Sequence, residues 1–122
     1  MKTPEVGLTH LRVTLSDTFY IGPGRADLLD GIAATGSIAE AAKGMGMSYK
    51  RAWSLVQALN EGFGRPLVET SRGGAAQGGA SLTADGQFVL DCYRAMEAAT
   101  RAAIAPEIAS VAKRLGDIAR KK

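Results

Sequence analysis

A group of polar side chains able to contact a nucleic acid follows Ser48 in the chain. Lys50 and Arg51 carry positive charge, and Ser54 and Gln57 carry hydrogen-bonding groups. In a helix, with about 3.6 residues per turn, Lys50, Ser54 and Gln57 share one face, and Arg51 lies at its margin. Lysine and arginine bind phosphates or guanine edges, serine hydrogen-bonds to base edges, and glutamine suits adenine. The pattern therefore indicates a surface that reads double-stranded DNA.

Two predicted helices joined by a short turn hold this face outward. Ser37 is a good N-cap for the first helix, and Glu40 completes an S-x-x-E capping box. Residues 44–46 include two glycines and suit the turn, and Ser48 caps the second helix. The buried stripe expected on the second helix is Ala52, Val56, Leu59 and Phe63. Residues 37–63 predict a helix-turn-helix that enters a major groove with the start of its second helix. An ordinary helical hairpin with a solvated outer face is the alternative.

The capping serines have a second predicted role. Ser37 and Ser48 lie beside the free N–H groups at two helix starts, a position that favours phosphate oxygens. Tyr49 and Trp53 lie on the margin opposite Arg51. For these two rings, packing against the protein is favoured over stacking on bases.

Composition restricts the class of protein. At 122 residues with 46% hydrophobic residues, one folded domain with an appended helix is expected. Cys92 and His10 are the single cysteine and histidine, so neither a disulfide nor a metal site is expected. The sequence lacks a nucleophile–base pair and a cofactor motif, so we predict no enzyme activity and no cofactor. It also lacks the ~20-residue apolar run of a membrane span and a signal segment, so a cytoplasmic location is expected.

Positive charge is concentrated around the proposed reading helix. The formal net charge is +3 for the whole chain, and it divides into −2 for residues 1–42, +3 for residues 43–82 and +2 for residues 83–122. The excess falls on the second helix and the loop after it, where a polyanion would be met. A solvated basic face would carry the same charge, so this support for DNA binding is modest.

The residues before the helix pair predict a small ribbon and a first helix. Residues 11–15 alternate between apolar and polar side chains, as in a half-buried strand, and residues 19–21 can return antiparallel after a turn. A helix is expected from about Arg25 to Gly36. The expected inward side chains are Leu11, Val13 and Leu15 of the ribbon and Leu28, Leu29, Ile32 and Ala33 of the helix.

Residues 67–83 predict a hairpin after the helix pair. Residues 67–70 and 81–82 favour strands, and SRGGAAQGGA between them contains four glycines and no large apolar group. A hairpin in this position is typical of a wing. We assign Arg72 and Gln77 in its tip to DNA, Arg72 contacting a phosphate or the minor groove. An ordinary flexible surface loop is the alternative.

A long helical segment ends the sequence. Thr83 is its expected N-cap, and Pro106 is expected to end or kink it near Ala105. The sequence is therefore divided into a domain of residues 1–105 and a C-terminal helix of residues 106–122. The expected apolar side before the proline is Phe88, Val89, Cys92, Tyr93, Met96 and Ala99. The stripe predicted to contact a second copy of the chain is Ile104, Ile108, Val111, Leu115 and Ile118. Docking of this stripe on its own domain is the alternative.

The order of ribbon, helix, helix-turn-helix, wing and long helix predicts a mainly α fold with small β structure, a winged helix-turn-helix. More specifically, residues 8–100 resemble the N-terminal domain of ModE-type molybdate-responsive transcription regulators. The likeness lies in IAATGSIAEAAKGMGMSYKRAWSLVQALN, in LVETSRGGAAQGG and in ASLTADGQ. A looser resemblance to LysR-type regulators lies in the S-I-x-x-A-A…S pattern across residues 37–48.

The resemblance implies a homodimeric repressor or activator with Tyr49, Lys50 and the wing on DNA. A dimer would present two reading helices to successive major grooves, about 34 Å apart, on a palindromic operator. Full-length members of the family carry C-terminal modules that bind molybdate. The residues up to Lys122 leave no room for them, so an oxyanion effector is not expected for this chain alone. The alternative function is a winged helix that binds a partner protein and not DNA.

Overall fold

The computed structural model describes residues 7–71 and 79–120. These residues form four helices and two antiparallel pairs of strands. Their order is β1 (Val13–Thr14), β2 (Tyr20–Ile21), α1 (Pro23–Thr35), α2 (Ile38–Gly44), α3 (Tyr49–Phe63), β3 (Val68–Ser71), β4 (Gly79–Leu82) and α4 (Ala84–Arg120). The predicted fold class, a mainly α winged helix-turn-helix, is confirmed.

The core lies where α1, α2 and α3 meet beneath the strands and the first half of α4. Small residues bring α1 and α2 close together: a Cβ added at Gly31 would lie 2.9 Å from the Cβ of Ala41. The sequence predicts an inward Ala33, but this residue lies in the last turn of α1 and is open to solvent. The largest fully buried side chains are Tyr93, Ile21, Leu28, Leu29, Ile32, Leu59, Leu67 and Val56.

The two predicted serine N-caps are confirmed, but the predicted capping box is wrong, because the N–H of Ser37 donates to the Thr35 hydroxyl oxygen and not to the Glu40 side chain. The Ser37 hydroxyl oxygen accepts a 3.1 Å hydrogen bond from the N–H of Glu40. The Ser48 hydroxyl oxygen accepts one of the same length from the N–H of Arg51. Gly46 supplies the left-handed residue of the turn, with φ of 68°. These local signals fix where α2 and α3 begin, and hence which residues stand at the start of α3.

The two hairpins differ in length. β3 and β4 pair from Val68↔Leu82 to Ser71↔Gly79 and form the base of the wing. Residues 72–78, which include Arg72 and Gln77, lie outside the described residues. β1 and β2 pair over two residues each, and the N–H of Leu15 already bonds to the carbonyl of Phe19 in the turn. Leu15 is therefore exposed, and its predicted inward position is wrong.

Gly86 sets the rotation of α4 about its axis. A Cβ at this position would lie 2.1 Å from the carbonyl oxygen of Leu67, so the glycine must face the domain. At about 100° per residue, Phe88 and Ala99 then point away from the domain. Both side chains are exposed, Phe88 by 65% of its surface, and their predicted burial is wrong. The buried residues on this helix are Gly86, Val89, Leu90, Tyr93 and Glu97.

α4 continues through Pro106. Of the two effects that the sequence predicts for this proline near Ala105, an end or a kink, the end is wrong. Proline in a helix interior costs about 3 kcal/mol, mainly because it removes an N–H and clashes with the preceding turn. Alanine is the best helix former, and Ala102, Ala103 and Ala105 precede the proline. This stretch is exposed, so water can bond to the carbonyl that the proline leaves unpaired.

Candidate nucleic-acid interface

The start of α3 projects from the domain as the helical pattern predicts. Lys50, Arg51 and Ser54 are exposed, and Gln57 is half-buried. The opposite side of the helix is anchored by Ala52, Val56 and Leu59, each 1% exposed or less. Since these side chains fix the rotation of α3, the polar side chains of its first two turns all lie on the solvent side of the helix.

One flank of α3 faces the wing across a hollow of about 390 Å³, here called the wing-side groove. Its lining residues are Ser37, Ile38, Ala39, Tyr49, Trp53, Thr70, Ser71, Gly79 and Ala80. Tyr49 is 54% exposed and Trp53 is 45% exposed. The sequence favours packing for both rings, but the small residues across the groove, Gly79 and Ala80, leave about half of each ring open. The two rings are therefore accessible to a ligand in the groove.

Backbone and hydroxyl bonds fix the far wall of the wing-side groove. The N–H of Ala80 donates a 2.9 Å hydrogen bond to the carbonyl of Gly36, joining β4 to the start of α2. The Thr35 hydroxyl oxygen accepts from the N–H of Ser37 at 3.2 Å. The Ser37 and Ser48 oxygens accept helix N–H groups, so each hydroxyl proton can still be donated to a phosphate oxygen.

The other flank of α3 borders a smaller hollow of about 210 Å³, here called the ribbon-side groove. Its lining residues are His10, Arg12, Tyr20, Gly22, Pro23, Gly24, Arg25, Met47, Arg51 and Leu55. The guanidinium carbons of Arg12 and Arg25 lie 3.7 and 3.8 Å from the centroid of the Tyr20 ring. Sequence reasoning assigns no role to Arg12 or Arg25. The sequence contains only a weak signal for this cluster. Arg12 and Tyr20 lie in segments predicted to pair as strands, and Arg25 begins the helix predicted to follow them.

Two acidic side chains of α1 form ion pairs with an arginine of α4. Arg94 binds Asp27 at 2.8 Å, Asp30 at 3.1 Å and Glu97 at 2.9 Å. Burial lowers the pKa of Arg94, but its hydrogen bonds with these carboxylates outweigh burial and raise the pKa above its ordinary value. Arg94 thus joins α1 to α4, and its single positive charge offsets only part of the negative charge of these three carboxylates.

Neither a metal centre nor a membrane span is found in the part of the chain that the structure describes. Residues 7–71 and 79–120 bring together no cluster of three or more His, Cys, Asp or Glu side chains suited to a metal ion. Of the helices in these two ranges, none has both the length and the hydropathy of a membrane span. Cys92, for which the sequence predicts core packing, is half-buried.

A polar helix start held outward by a capped helix pair, with a β-hairpin on one flank, defines a winged helix-turn-helix of the DNA-binding type. The structure is similar to the protein in the crystal structure of the CbnR_DBD–DNA complex, with a TM-score of 0.56 and 30% identity. The match covers 71% of this chain and 95% of that one.

The profile of the bacterial regulatory helix-turn-helix proteins of the lysR family matches residues 25–87. This chain belongs to that family, and the matched part is an N-terminal DNA-binding domain of the ModE type.

Similar curated proteins include MopB, a molybdenum-pterin-binding protein of Rhodobacter capsulatus, 46% identical over 64% of this chain and 29% of MopB. The transcriptional regulator ModE of Haemophilus influenzae is 39% identical over 80% of this chain and 37% of its own length. The DNA-binding transcriptional dual regulator ModE of Escherichia coli K12 is 40% identical over 68% of this chain and 32% of its own length. The chain therefore spans about a third of the length of these relatives.

Proposed function

We propose that this chain is a cytoplasmic, sequence-specific transcriptional regulator that binds a palindromic DNA site as a homodimer. The observation that carries the proposal is the start of α3, where Lys50, Arg51 and Ser54 are exposed between the wing-side and ribbon-side grooves. The major groove of DNA is about 12 Å wide and admits one helix. With α3 inside it, the two phosphate backbones that border the groove would lie along the two flanks of the helix.

The proposal assigns a DNA contact to each polar group on this surface. Lys50 and Arg51 contact phosphates or a guanine edge, and Ser54 and Gln57 hydrogen-bond to base edges. The hydroxyls of Ser37 and Ser48 donate to phosphate oxygens beside two helix starts. The remaining proposed contacts are Tyr49 in the wing-side groove and Arg72 and Gln77 of the wing tip.

The second half of α4 supports the homodimer. Ile104, Ile108, Val111, Leu115 and Ile118 recur at steps of 4, 3, 4 and 3 residues, which is the heptad spacing of a coiled coil. The last three are 69%, 66% and 54% exposed, so the alternative in which they dock on their own domain does not match the structure. Burying such side chains is worth roughly 1.5–3 kcal/mol each, and a second copy of the helix would bury them.

The rotation of α4 supports the same conclusion. Counting about 100° per residue, the stripe continues the face on which Tyr93 and Glu97 are buried. One face of α4 is therefore covered by the domain around Tyr93 and Glu97, and the same face is open to solvent further along the helix. A two-fold dimer through the open part would relate two reading helices by symmetry, which is the arrangement that a palindromic operator mirrors.

Selection of DNA from random-sequence fragments by the purified chain tests the proposal directly. We expect enrichment of one palindrome with half-sites about 10–10.5 base pairs apart, or a multiple of that spacing. Sedimentation of the same preparation should give the mass of two chains. Retention of fragments without any sequence enrichment would contradict specific recognition. Failure to retain DNA, with co-purification of a protein, would favour a partner-binding module.

A further inference from the structure

We propose that Arg12, Arg25 and Arg51 form a clamp for a DNA backbone phosphate on the ribbon side of α3. This inference rests on the proposed function and adds Arg12 and Arg25 to Arg51 as contacts with the phosphate backbone on the side of α3 away from the wing. The three guanidinium groups come from three separate elements, the ribbon, α1 and α3, and all three residues line the ribbon-side groove.

Tyr20 holds two of the three charges in place. A guanidinium carbon 3.7 or 3.8 Å from a ring centroid must lie almost directly above the ring. Two such groups would overlap on one face, so Arg12 and Arg25 occupy opposite faces of Tyr20. Arg25 also donates a 3.2 Å hydrogen bond from Nη1 to the carbonyl of Tyr20. The positions of both charges are therefore set before a ligand arrives.

In the described part of the chain, these three charges have no counter-ion. Among residues 7–71 and 79–120, no carboxylate lies within 4.0 Å of a nitrogen of Arg12, Arg25 or Arg51. The Nε of Arg25 is buried and has no hydrogen-bond partner in the same part of the chain. Like charges gathered in one place repel each other, and a buried donor without an acceptor is costly. An anion in the groove would relieve the repulsion between the three charges.

The start of α1 adds to the positive field of the groove. Its N-cap, Gly22, offers no side chain to accept the first helix N–H groups, and its first turn contains no acidic residue. Gly24 and Arg25 have N–H groups at this end of the helix dipole, and both residues line the groove. This contribution is secondary, because the arginine cluster alone sets the charge.

The position of the clamp identifies the anion as DNA backbone. Arg51 follows Lys50 of the reading face directly, and Leu55 of the next turn also lines the groove. A duplex that receives α3 in its major groove would bring one phosphate backbone to the wing side and the other to this side. A free phosphate ion shares the chemistry of a backbone phosphate, so the experiment must separate the two.

Binding of a short duplex of random sequence, measured over a series of KCl concentrations, tests the clamp. Removal of one phosphate contact should lower the slope of log affinity against log salt by about 0.9. Because the three arginines share one phosphate, we expect Arg12→Ala/Arg51→Ala, which removes that contact, to lower the slope by about 0.9 relative to the unmodified chain. Both residues are exposed, so this variant should fold. Arg12→Ala/Arg25→Ala should have the same effect, provided that its circular dichroism is unchanged.

Arg120→Ala is the matched control, because Arg120 is an exposed arginine at the far end of α4 and lies outside both grooves. Arg12→Lys/Arg51→Lys should keep most of the slope, since it keeps the charges. A slope for Arg12→Ala/Arg51→Ala equal to that of Arg120→Ala would overturn the clamp while leaving the proposed function intact. A chain that binds no duplex at all would overturn the proposed function, and the clamp with it.

Titration with inorganic phosphate, followed through the NMR signals of the arginine Nε–H groups, separates the two sources of phosphate. We expect weak, unsaturated shifts at millimolar phosphate and large shifts with duplex. Saturation by inorganic phosphate, together with an unchanged salt slope in the alanine variants, would overturn the assignment to DNA backbone.

Discussion

The phenolic hydroxyl of Tyr93 donates a 2.6 Å hydrogen bond to the carbonyl oxygen of Leu11. The contact joins α4 to the segment that leads into β1, between residues 82 positions apart in the sequence. Tyr93 is fully buried, and this burial, assisted by the negative charge of Glu97, raises the pKa of Tyr93 to about 12. The bond helps to hold the ribbon, and with it Arg12, beside α1 and α3.

Replacing Tyr93 with phenylalanine should change stability most clearly at alkaline pH. An unfolded chain releases the tyrosine proton near pH 10, whereas the folded chain holds it until about pH 12. The stabilisation is therefore complete below about pH 10 and is lost as the pH rises to about 12. Tyr93→Phe should lower the free energy of unfolding at neutral pH by about 1 kcal/mol. It should also flatten the alkaline decline, as measured by urea denaturation across pH.

Tyr49→Phe is the control for this effect, because Tyr49 is exposed and removal of its hydroxyl tests for a general effect of losing one tyrosine. We expect its stability to follow that of the unmodified chain at every pH. If Tyr93→Phe showed the same alkaline decline as Tyr49→Phe, ionisation of the buried Tyr93 would not be its cause.

Replacing Gly86 with alanine should destabilise the fold, because the added methyl group would lie 2.1 Å from the carbonyl oxygen of Leu67. That carbonyl also accepts a 3.0 Å hydrogen bond from the N–H of Thr83, so neither group can move freely. We expect a decrease of about 2–3 kcal/mol in the free energy of unfolding, measured by thermal or urea denaturation.

Gly44→Ala provides the comparison. A Cβ at Gly44 meets no atom within 4 Å, and this residue ends α2 with an ordinary helical backbone. This change should raise stability by roughly 0.5–1 kcal/mol. Equal effects of the two substitutions would contradict the close approach of α4 to Leu67.

Replacing Lys50 with alanine and replacing Gln57 with alanine should weaken DNA binding in different ways. Removing a phosphate contact at Lys50 should reduce affinity for every duplex and lower the salt slope by about 1. Removing a base contact at Gln57 should cost about 1–3 kcal/mol on the selected operator and little on random DNA. Lys113→Ala, on the face of α4 opposite the stripe, should change neither. Unchanged operator binding by Lys50→Ala at moderate salt would exclude α3 as the reading helix.

Charged residues in the open stripe of α4 should produce monomers. Leu115→Lys with Ile118→Lys places two charges where a second copy would pack, so we expect half the sedimenting mass and weaker binding to a palindrome. Phe88→Lys is the matched control, because Phe88 is an equally exposed apolar residue on the opposite face of the same helix. Monomers from the control, or dimers from the double variant, would remove this stripe from the contact.

Much of the helix-turn-helix is determined by the sequence itself. The caps at Ser37 and Ser48, the left-handed Gly46 and the buried stripe of α3 all depend on residues within four positions of each other. Such interactions operate in any tertiary setting, so local pattern and final structure agree. The outward position of Lys50 and Ser54 follows from them.

Only the tertiary structure decided three other features. The rotation of α4, which exposes Phe88, is set by contact between Gly86 and Leu67, nineteen positions apart in the chain. The helix continues through Pro106 against a strong local signal to stop, because the exposed position that this part of α4 takes in the fold leaves the unpaired carbonyl open to water. The cluster of Arg12, Arg25 and Arg51 exists because ribbon, α1 and α3 converge, and no periodicity within any one element encodes a meeting of separate elements.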